Sequence, residues 1–398
     1  MTDLRDLFSI TVHGLAPVGA VMLLGLLGGK AARLVRLPKV SGYILTGIVI
    51  GPSVLGLIST EIIESISIIN DIALGLIMFA IGGVFEINHI RSVGKKVLWL
   101  TLAQSLATLV FTAGGLYFVG VEAYPALLLG TIAIATAPAA TLLVIREFEA
   151  KGEFTDTLIT VTATSNVVCI LVFEFVLSAI DLKEGRSFVY ALIGPFYELG
   201  GSLMIGFVVG YIISKWEQRI DDQAELLMII VAGIILVTGL AMTLNVQPLF
   251  ATLIMGAVTT NFSMMHRLVY VEMRQIEQPL YIAFFVLAGA SLHLNLLWGL
   301  GLAGGVYLVA RVVGKSLGVW IVGRWRKLTP SIGRYLGPGL AAQAGVAIGL
   351  IEVLEQSNPE IAATVTPIIL VTILVYETLS PPVIEWVLFR AGDVHKTF

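Results

Sequence analysis

The chain has 398 residues, of which 57% are hydrophobic and 13% are charged, and its formal net charge is -3. A water-soluble domain of this length cannot bury so much apolar surface, so the composition excludes a soluble protein and predicts an all-α integral membrane protein. The single cysteine, Cys169, excludes an intrachain disulfide and a thiolate metal cluster. The N-terminus leads into an ordinary span without a cleavage-site pattern, so we expect no signal peptide.

Apolar runs long enough to cross a bilayer as helices recur about thirteen times along the chain. The second and ninth runs are short and occupy matching places in the two halves, which is typical of broken or distorted helices. The predicted spans are 12–32, 40–57, 67–86, 97–119, 124–146, 156–180, 189–214, 225–243, 246–262, 278–296, 299–323, 334–354 and 362–388. We predict a first six-helix repeat at 1–187, a linker helix at 188–217 and a second six-helix repeat at 218–398.

Several apolar segments recur about 206 residues later in the chain. The matched pairs are Phe79 with Phe285, Gly83 with Gly289, Gly51 with Gly256, and 135–140 with 339–345. Seven predicted spans separate the two members of each pair, and an odd separation inverts the topology of the second copy. Paired interrupted segments in inverted halves are the pattern of a secondary transporter.

The fifth span contains Pro138 between two threonines, Thr136 and Thr141. Proline lacks an amide proton and crowds the carbonyl group one turn back, so it frees backbone polar groups in the middle of the membrane. The two threonine hydroxyls are placed to satisfy some of these groups. A simple proline kink is the alternative interpretation, because such kinks are common in membrane helices.

The twelfth span matches the fifth in the repeat and is interrupted by glycine. Gly337-Pro338-Gly339 lies at its inner end, and Gln343 and Gly345 lie near its middle. The pairing of a proline-broken span with a glycine-rich span favours two discontinuous helices that cross at a binding site. We therefore place Gln343 at this site together with the polar residues of span five.

Small polar residues crowd the middle of the sixth span, where Thr164, Ser165 and Asn166 follow one another. Their oxygen atoms are suitable ligands for a cation, so we predict a polar cavity; ordinary helix packing is the alternative. A cation carrier is expected to show an acid here. However, no carboxylate lies between Asp156 and Glu174, which follows Asn166 by about two helical turns.

The eleventh span carries two basic residues, Arg311 and Lys315, near its middle. They are one helical turn apart and therefore share a face of the helix. A charge at membrane depth costs several kcal/mol unless it faces protein, water or a partner. One interpretation makes them structural cations that hold the carbonyl groups of a broken neighbouring helix, and the other makes them part of the ion path.

The remaining basic residues predict the orientation. Nineteen lie in the turns after odd-numbered spans and in the C-terminal tail, whereas Arg5, Lys183 and Arg186 lie on the other side. Because basic loops stay in the cytoplasm, the N-terminus is expected outside and the C-terminus inside, in the cell's inner (plasma) membrane. The histidines lack metal-ligand spacing and no phosphate loop is present, so we expect no enzymatic activity, no cofactor, no metal and no nucleic-acid partner.

In order along the chain, the motifs resemble the monovalent cation:proton antiporter superfamily, particularly its bacterial Kef-type branch. The segments that carry the resemblance are 42–52, 135–140, 279–289, 310–315 and 343–349. The resemblance covers nearly the whole chain. It implies a sodium/proton antiporter-like fold of about thirteen helices, a homodimer, and a core whose elevator-like movement carries the site across the membrane.

The resemblance fails at one important place. The ion-binding pair of the family, Asp-Asp or Asn-Asp, falls on Ser165 and Asn166, so the acid that alternates between cation and proton is absent. The family's basic partner falls on Arg311 or Lys315. A monovalent cation about 8 Å from one such charge is repelled by ~2 kcal/mol at an effective dielectric constant near 20.

Three explanations reconcile these charges with transport. Glu174 or Glu377 reaches the site as a proton carrier, Lys315 is neutral, or the cargo is an anion attracted to the basic residues and to half-helix N-termini. We predict a secondary active transporter of the cation:proton antiporter type, with atypical or lost proton coupling. The alternatives are a carrier of a small anion or neutral solute and a non-transporting sensor or accessory subunit.

Overall fold

The computed structural model describes residues 15–35, 37–87, 94–183, 188–220, 222–263, 266–291, 301–343 and 345–394, and these form helices and turns without a strand. The α-helices are α1 Leu15–Leu34, α2 Lys39–Ile50, α3 Thr60–Ser65, α4 Ser67–Gly82, α5 Lys95–Phe118, α6 Ala123–Ile132, α7 Pro138–Glu147, α8 Glu153–Lys183, α9 Phe188–Trp216, α10 Gln223–Thr243, α11 Pro248–Phe262, α12 His266–Ala290, α13 Gly301–Trp325, α14 Pro330–Gly339, α15 Gly345–Ser357 and α16 Pro359–Ala391. Single turns of 3₁₀-helix follow α4 and α9.

Within the described part of the chain, eight helices are long and apolar enough to cross a membrane. Shorter apolar helices are present as well, among them α2 and α11, which correspond to the short second and ninth spans. The first residues of predicted span one (12–14) and the last of span ten (292–296) lie outside the described residues. The all-helical membrane architecture that the composition predicts is confirmed.

The helices pack as two groups, each of which makes most of its contacts within itself. We call them the core group (α5, α6, α7, α8, α13, α14, α15 and α16) and the panel group (α1, α2, α4, α9, α10, α11 and α12). Each group takes helices from both halves of the chain. The groups meet where α8 packs on α9, where α7 and α16 pack on α2, and where α7 packs on α4.

Within the panel group, α2 and α12 approach so closely that the contact requires glycine. A Cβ atom on Gly47 would lie 2.0 Å from the carbonyl oxygen of Val286, and one on Gly289 would lie 2.2 Å from that of Ile44. Any side chain at these positions would force the two backbones apart. Glycine therefore sets the distance between these two helices.

The same contact recurs between α4 and α11. A Cβ atom on Gly82 would lie 2.3 Å from the carbonyl oxygen of Leu253, and one on Gly256 would lie 2.1 Å from that of Phe79. In both pairs a short helix and a longer helix each place a glycine against the backbone of the other. The short helices α2 and α11 thus occupy equivalent places in the two halves, as the inverted repeat predicts.

These contacts refine the register of the repeat. They match Gly256 with Gly47, whereas the sequence alignment matches it with Gly51, one helical turn later. The sequence alignment pairs the last glycine of each segment. The close approach of two helices depends instead on which glycine lies on the face that contacts the neighbouring helix. Because residues four apart share a face, sequence comparison alone does not separate the two registers.

Candidate functional site

Two interrupted helices meet in the middle of the core group, as the sequence predicts. The first interruption separates α6, which ends at Ile132, from α7, which begins at Pro138. Proline suits the first position of a helix, where its missing amide proton is not needed. The second interruption lies between Gly339 and Gly345. The Ala137 amide donates a hydrogen bond to a carbonyl oxygen of this second segment at 2.9 Å, so the backbones cross in direct contact. We call this region the crossing.

Arg311 lies on the carbonyl side of the crossing. The last carbonyl groups of α6 and α14 have no partners within their own helices, and each helix C-terminus carries a partial negative charge. The fully buried Arg311 side chain donates to the carbonyl oxygens of Ala133 at 2.9 Å, Ala135 at 2.6 Å and Ala342 at 3.1 Å, and also to that of Ala341. One guanidinium group therefore joins both interruptions.

Lys315, one turn further along α13, also binds the backbone of the first interruption. Its fully buried ammonium group donates to the Ile134 carbonyl oxygen at 2.9 Å, to Thr136 Oγ1 at 3.0 Å and to Gln104 Oε1 at 3.4 Å. Three acceptors match the three N–H donors of an ammonium group. Among the described residues no carboxylate contacts either basic side chain. These contacts favour the structural interpretation of Arg311 and Lys315.

The Asn166 side chain binds the backbone of the first interruption. Its Oδ1 accepts a hydrogen bond from the Thr136 amide at 2.9 Å, and its Nδ2 donates to the Thr136 carbonyl oxygen at 2.9 Å. Ser165 Oγ donates to the Val161 carbonyl oxygen at 2.5 Å and accepts from Gln104 Nε2 at 2.8 Å. Both family positions are fully buried and both are occupied by protein hydrogen bonds.

The other predicted site residues divide into two sets. Thr141 Oγ1 donates to the Ala137 carbonyl oxygen at 3.0 Å, so Thr141 supports the first interruption. Gln343 Nε2 donates to Tyr307 Oη at 2.8 Å, while no described residue forms a hydrogen bond with the buried Gln343 Oε1. Thr164, in contrast, turns towards α5, where its hydroxyl lies 2.7 Å from that of Thr101.

The two candidate proton carriers do not join the crossing. Glu174, which is 3% exposed, lies on α8, and no described residue forms a hydrogen bond with its Oε1. Glu377, which is 4% exposed, lies on α16, and its Oε2 has no hydrogen-bond partner in the described part of the chain. Neither carboxyl group contacts Arg311. The crossing therefore contains the two basic side chains without an acid among the described residues.

Three residues of the crossing were missed by the sequence analysis. Gln104 on α5 joins Ser165 to Lys315 through its amide group. Tyr307 supports Gln343, and the ring of Tyr376 lies 4.5 Å from the guanidinium carbon of Arg311. A signal for Gln104 existed, because a long polar side chain in the middle of a span is rare and needs a partner. Tyrosine gives no such signal, since it is common in membrane helices.

The N-terminal ends of α7 and α15 face a narrow apolar cleft between the core and panel groups. The core side of the cleft includes Pro138 and Gly345, and the panel side includes Met78, Leu249 and Phe285. Two helix N-termini contribute a partial positive charge to this cleft. The lining includes no charged side chain, so nothing in the lining offsets the helix-end charge.

The crossing, the glycine-paired helices and the interleaved halves form the architecture expected of an antiporter. The family described as "Sodium/hydrogen exchanger, transmembrane" matches residues 19–390. The chain belongs to the sodium/hydrogen exchanger family. Members of this family are transporters, and the chain is a multi-pass membrane protein and a secondary transporter of the Na⁺/H⁺ antiporter type.

Relatives within the exchanger family are distant in sequence. The chain is 20% identical to a Na⁺/H⁺ antiporter of Enterococcus hirae, over 90% of this chain and 93% of the relative. It is 22% identical to the ammonium/H⁺ antiporter subunit AmhT of Alkalihalophilus pseudofirmus, over 85% and 86%, respectively. It is 25% identical to a glutathione-regulated potassium-efflux system protein of Haemophilus influenzae, over 85% of this chain and 56% of the relative.

A solved structure shows the same fold. The sodium proton antiporter MjNhaP1 of Methanocaldococcus jannaschii at pH 8 superposes with a TM-score of 0.71 at 20% sequence identity. The superposition covers 95% of this chain and 96% of that chain. The antiporter fold is therefore retained along almost the whole length of the chain.

Proposed function

We propose that the protein carries monovalent cations by the alternating access of the antiporter fold, and that Ser165 and Asn166 exchange no proton for the cation. The observation that supports this proposal most directly is the bonding of Asn166. Both polar atoms of its amide hold the Thr136 backbone, and an amide does not titrate. A proton that is coupled to transport therefore binds outside the crossing, at carboxyl groups such as those of Glu174 or Glu377.

The charge balance of the crossing supports one part of this proposal, the absence of cation-for-proton exchange at Ser165 and Asn166. Two helix C-termini contribute about -0.5 each and two N-termini about +0.5 each, so the helix ends cancel. The charges of Arg311 and Lys315 remain without a carboxylate. A cation about 8 Å from either charge is repelled by ~2 kcal/mol at a dielectric constant near 20. Ordinary cation-for-proton competition at one acid is therefore not available here.

The anion carrier gains no support from these contacts. A guanidinium group has five N–H donors, and Arg311 already uses four of them on backbone carbonyl oxygens. An anion at the crossing would have to displace these backbone carbonyl oxygens from the guanidinium group. We therefore keep a monovalent cation as the proposed cargo, as the names of the relatives suggest.

The membrane arrangement is part of the proposal. The bias of basic residues favours an extracellular N-terminus and a cytoplasmic C-terminus in the plasma membrane. The resemblance to antiporters favours a homodimer, with the core group moving against the panel group. The division at 1–187, 188–217 and 218–398 agrees with the way each helix group draws on both halves.

Purified protein in liposomes tests the proposed function. Vesicles are loaded with Na⁺, K⁺, Li⁺ or NH₄⁺, or with small anions, and internal pH is recorded together with ion flux. We expect cation flux that persists when Ser165→Ala is introduced. Anion flux without cation flux overturns the proposed cargo. Proton-coupled exchange that survives Glu174→Gln and Glu377→Gln together overturns the proposed site of coupling.

A further inference from the structure

Two tryptophan side chains meet on the surface of the core group, where α5 begins and α13 ends. The rings of Trp99 and Trp325 make an edge-to-face contact with their centroids 5.5 Å apart, and the two residues are 40% and 62% exposed. Both helices are long and apolar enough to cross a membrane, so these helix ends lie near the membrane surface. Tryptophan is typical of this interface, because its ring is apolar and its N–H group is polar.

Exposed apolar side chains continue from the tryptophan pair along both helices. Leu102, one turn after Trp99, is 44% exposed, and Ile321, one turn before Trp325, is 48% exposed. Residues three or four apart share a helix face, so these side chains form a strip that runs from the tryptophan pair towards the middle of the membrane. A strip at this depth contacts lipid acyl chains.

On the other side of the tryptophan pair, at the helix ends, the surface is basic. The Arg326 guanidinium carbon lies 5.4 Å from the centre of the Trp325 ring, so basic and aromatic side chains form one surface. Four exposed basic residues lie here, and none of them forms an ion pair with a described residue. Together with the tryptophan pair and the apolar strip, they form what we call the interface patch: Lys95, Arg324, Arg326 and Lys327.

A carboxylate at the start of α8 leaves the charge of the interface patch in place. Glu153 Oε1 accepts a hydrogen bond from Lys96 Nζ at 2.6 Å, and its Oε2 accepts one from Thr329 Oγ1 at 2.9 Å. The charge of this carboxylate is thus balanced by Lys96, which is not one of the four basic residues of the patch. The patch therefore offers positive charge to an anion from outside the protein.

Lys327 occupies a backbone position that usually belongs to glycine. The Leu328 amide donates to the Gly323 carbonyl oxygen at 2.9 Å, which closes the end of α13. Lys327, just before this amide, has a φ of 51°, in the left-handed region where a side chain is strained. The chain therefore keeps a lysine in the patch at a position where glycine is less strained.

We propose that the interface patch binds an anionic phospholipid, whose phosphate group contacts the basic residues and whose acyl chains lie on the apolar strip. A soluble phosphate uses only the basic half of the patch, and a lipid without net charge uses only the apolar half. Because α5 and α13 belong to the core group, the bound lipid ties that group to one leaflet, the cytoplasmic one in the proposed orientation. The effect on transport rests on the proposed function, whereas the lipid site does not.

Quenching of tryptophan fluorescence by brominated lipids tests the site without any transport. The protein is reconstituted in phosphatidylcholine nanodiscs that contain increasing fractions of brominated phosphatidylglycerol or brominated phosphatidylcholine. We expect phosphatidylglycerol to quench at the lower fraction, and we expect Trp99→Phe with Trp325→Phe to remove this difference. Equal quenching by the two lipids overturns the proposal, and so does an undiminished difference in the phenylalanine variant.

A pair of charge-matched variants separates the patch from general attraction. Arg326→Gln with Lys327→Gln removes two charges of the patch, whereas Arg334→Gln with Arg390→Gln removes two exposed charges from α14 and α16 of the same helix group. Both variants lower the general attraction for anionic lipid alike. We therefore expect the patch variant to bind phosphatidylglycerol about tenfold more weakly than the control variant does. Equal affinities overturn the proposal.

Inorganic phosphate distinguishes a lipid from a free anion. We expect millimolar phosphate to leave the quenching by brominated phosphatidylglycerol unchanged, and displacement of the lipid by phosphate overturns a lipid as the occupant. Melting temperature is the folding control for every variant. If the first patch variant fails to fold, Lys95→Gln with Arg324→Gln removes the other two charges of the patch and is judged by the same outcomes.

A transport measurement distinguishes the failure of this inference from that of the proposed function. In liposomes, we expect the cation flux of wild type and of the control variant to change with phosphatidylglycerol content, and the flux of the patch variant to lose this dependence. An equal dependence in all three overturns the link between the lipid and the core group. Absence of flux in wild type contradicts the proposed function but leaves the quenching result decisive for the patch.

Discussion

The crossing and the contact between α1 and α7 use charge in opposite ways. At the crossing, Arg311 and Lys315 are fully buried and bind only uncharged oxygen atoms of their own helix group. At the other contact, Glu147 at the end of α7 accepts hydrogen bonds from Arg33 Nε at 3.0 Å and from the Lys39 amide at 2.8 Å. Arg33 and Lys39 belong to the panel group, so this carboxylate bridges the two groups.

This difference indicates that the crossing is a rigid unit, whereas the contact between α1 and α7 is a separable contact. Removal of a buried cation from the crossing leaves carbonyl groups that water does not reach, so the crossing is expected to move as one piece. The Arg33 side chain is 45% exposed, and water replaces Glu147 at low cost when the groups separate. Helix α7 takes part in both regions, with its N-terminus at the crossing and its C-terminus at the bridge.

The largest effect is expected from Arg311→Gln. The substitution removes donors from four buried carbonyl oxygens that hold both interruptions together, so we expect a loss of ~3–5 kcal/mol in the free energy of unfolding. Thermal unfolding in detergent, followed by tryptophan fluorescence, measures it. Arg324→Gln is the control on the same helix, since Arg324 is exposed. A variant as stable as wild type would show that the guanidinium is free to bind cargo.

Restoring an acid at the crossing is expected to have the next largest effect. Ser165→Asp places a carboxylate beside Gln104 and offsets one positive charge, which is worth ~2 kcal/mol at about 8 Å, or roughly thirtyfold in cation affinity. Cation-dependent thermal stabilisation in Na⁺, K⁺ and Li⁺ measures the change. Ser165→Asn is the neutral variant of equal size and should show no gain. Equal responses of the two variants would contradict the electrostatic argument.

A smaller loss is expected from Gln104→Leu. The leucine side chain has similar volume but leaves Lys315 with two acceptors and Ser165 Oγ without its Gln104 donor, so we expect a loss of ~1–2 kcal/mol in stability. Gln104→Glu is the informative partner, because it gives the ammonium group a carboxylate at the same distance. We expect it to be at least as stable as wild type; a lower melting temperature would show that Lys315 is uncharged.

The smallest effect on stability, but a distinct one on rate, is expected from Glu147→Gln. The Arg33 side chain is 45% exposed and that of Glu147 is 4% exposed, and glutamine keeps an oxygen acceptor at this position. We therefore expect a loss of about 1 kcal/mol or less in stability and a change of up to about fivefold in ion flux. The control is Lys96→Met, which breaks the 2.6 Å pair of Lys96 with Glu153 inside the core group. Equal changes in flux for the two variants would remove the distinction between rigid unit and separable contact.

The sequence predicted the fold of this protein further than its site. Hydropathy located the spans, and the chemistry of Pro138 located the first interruption, because both are properties of a few adjacent residues. Thr136, Ser165 and Asn166 stay predictions as ion ligands. The structure adds a contact that the sequence did not indicate, because both polar atoms of the Asn166 side chain bond to the backbone of Thr136.

Long-range pairing explains what the sequence did not reveal. Lys315 meets Gln104 across 211 positions of sequence, and Gln343 meets the Ile132 carbonyl oxygen across another 211. No local pattern encodes such neighbours.

By itself, the sequence determined that the chain lies in a membrane, that it is helical and that it repeats in inverted halves, whereas the missing family acid stays a prediction. These properties follow from the transfer of apolar side chains into lipid and from the missing amide proton of proline. Only the tertiary structure decided that Arg311 and Lys315 bind backbone carbonyl groups and that Asn166 binds the backbone of Thr136. The reason is physical: a buried polar group takes whichever partner the packing of distant helices brings within about 3 Å.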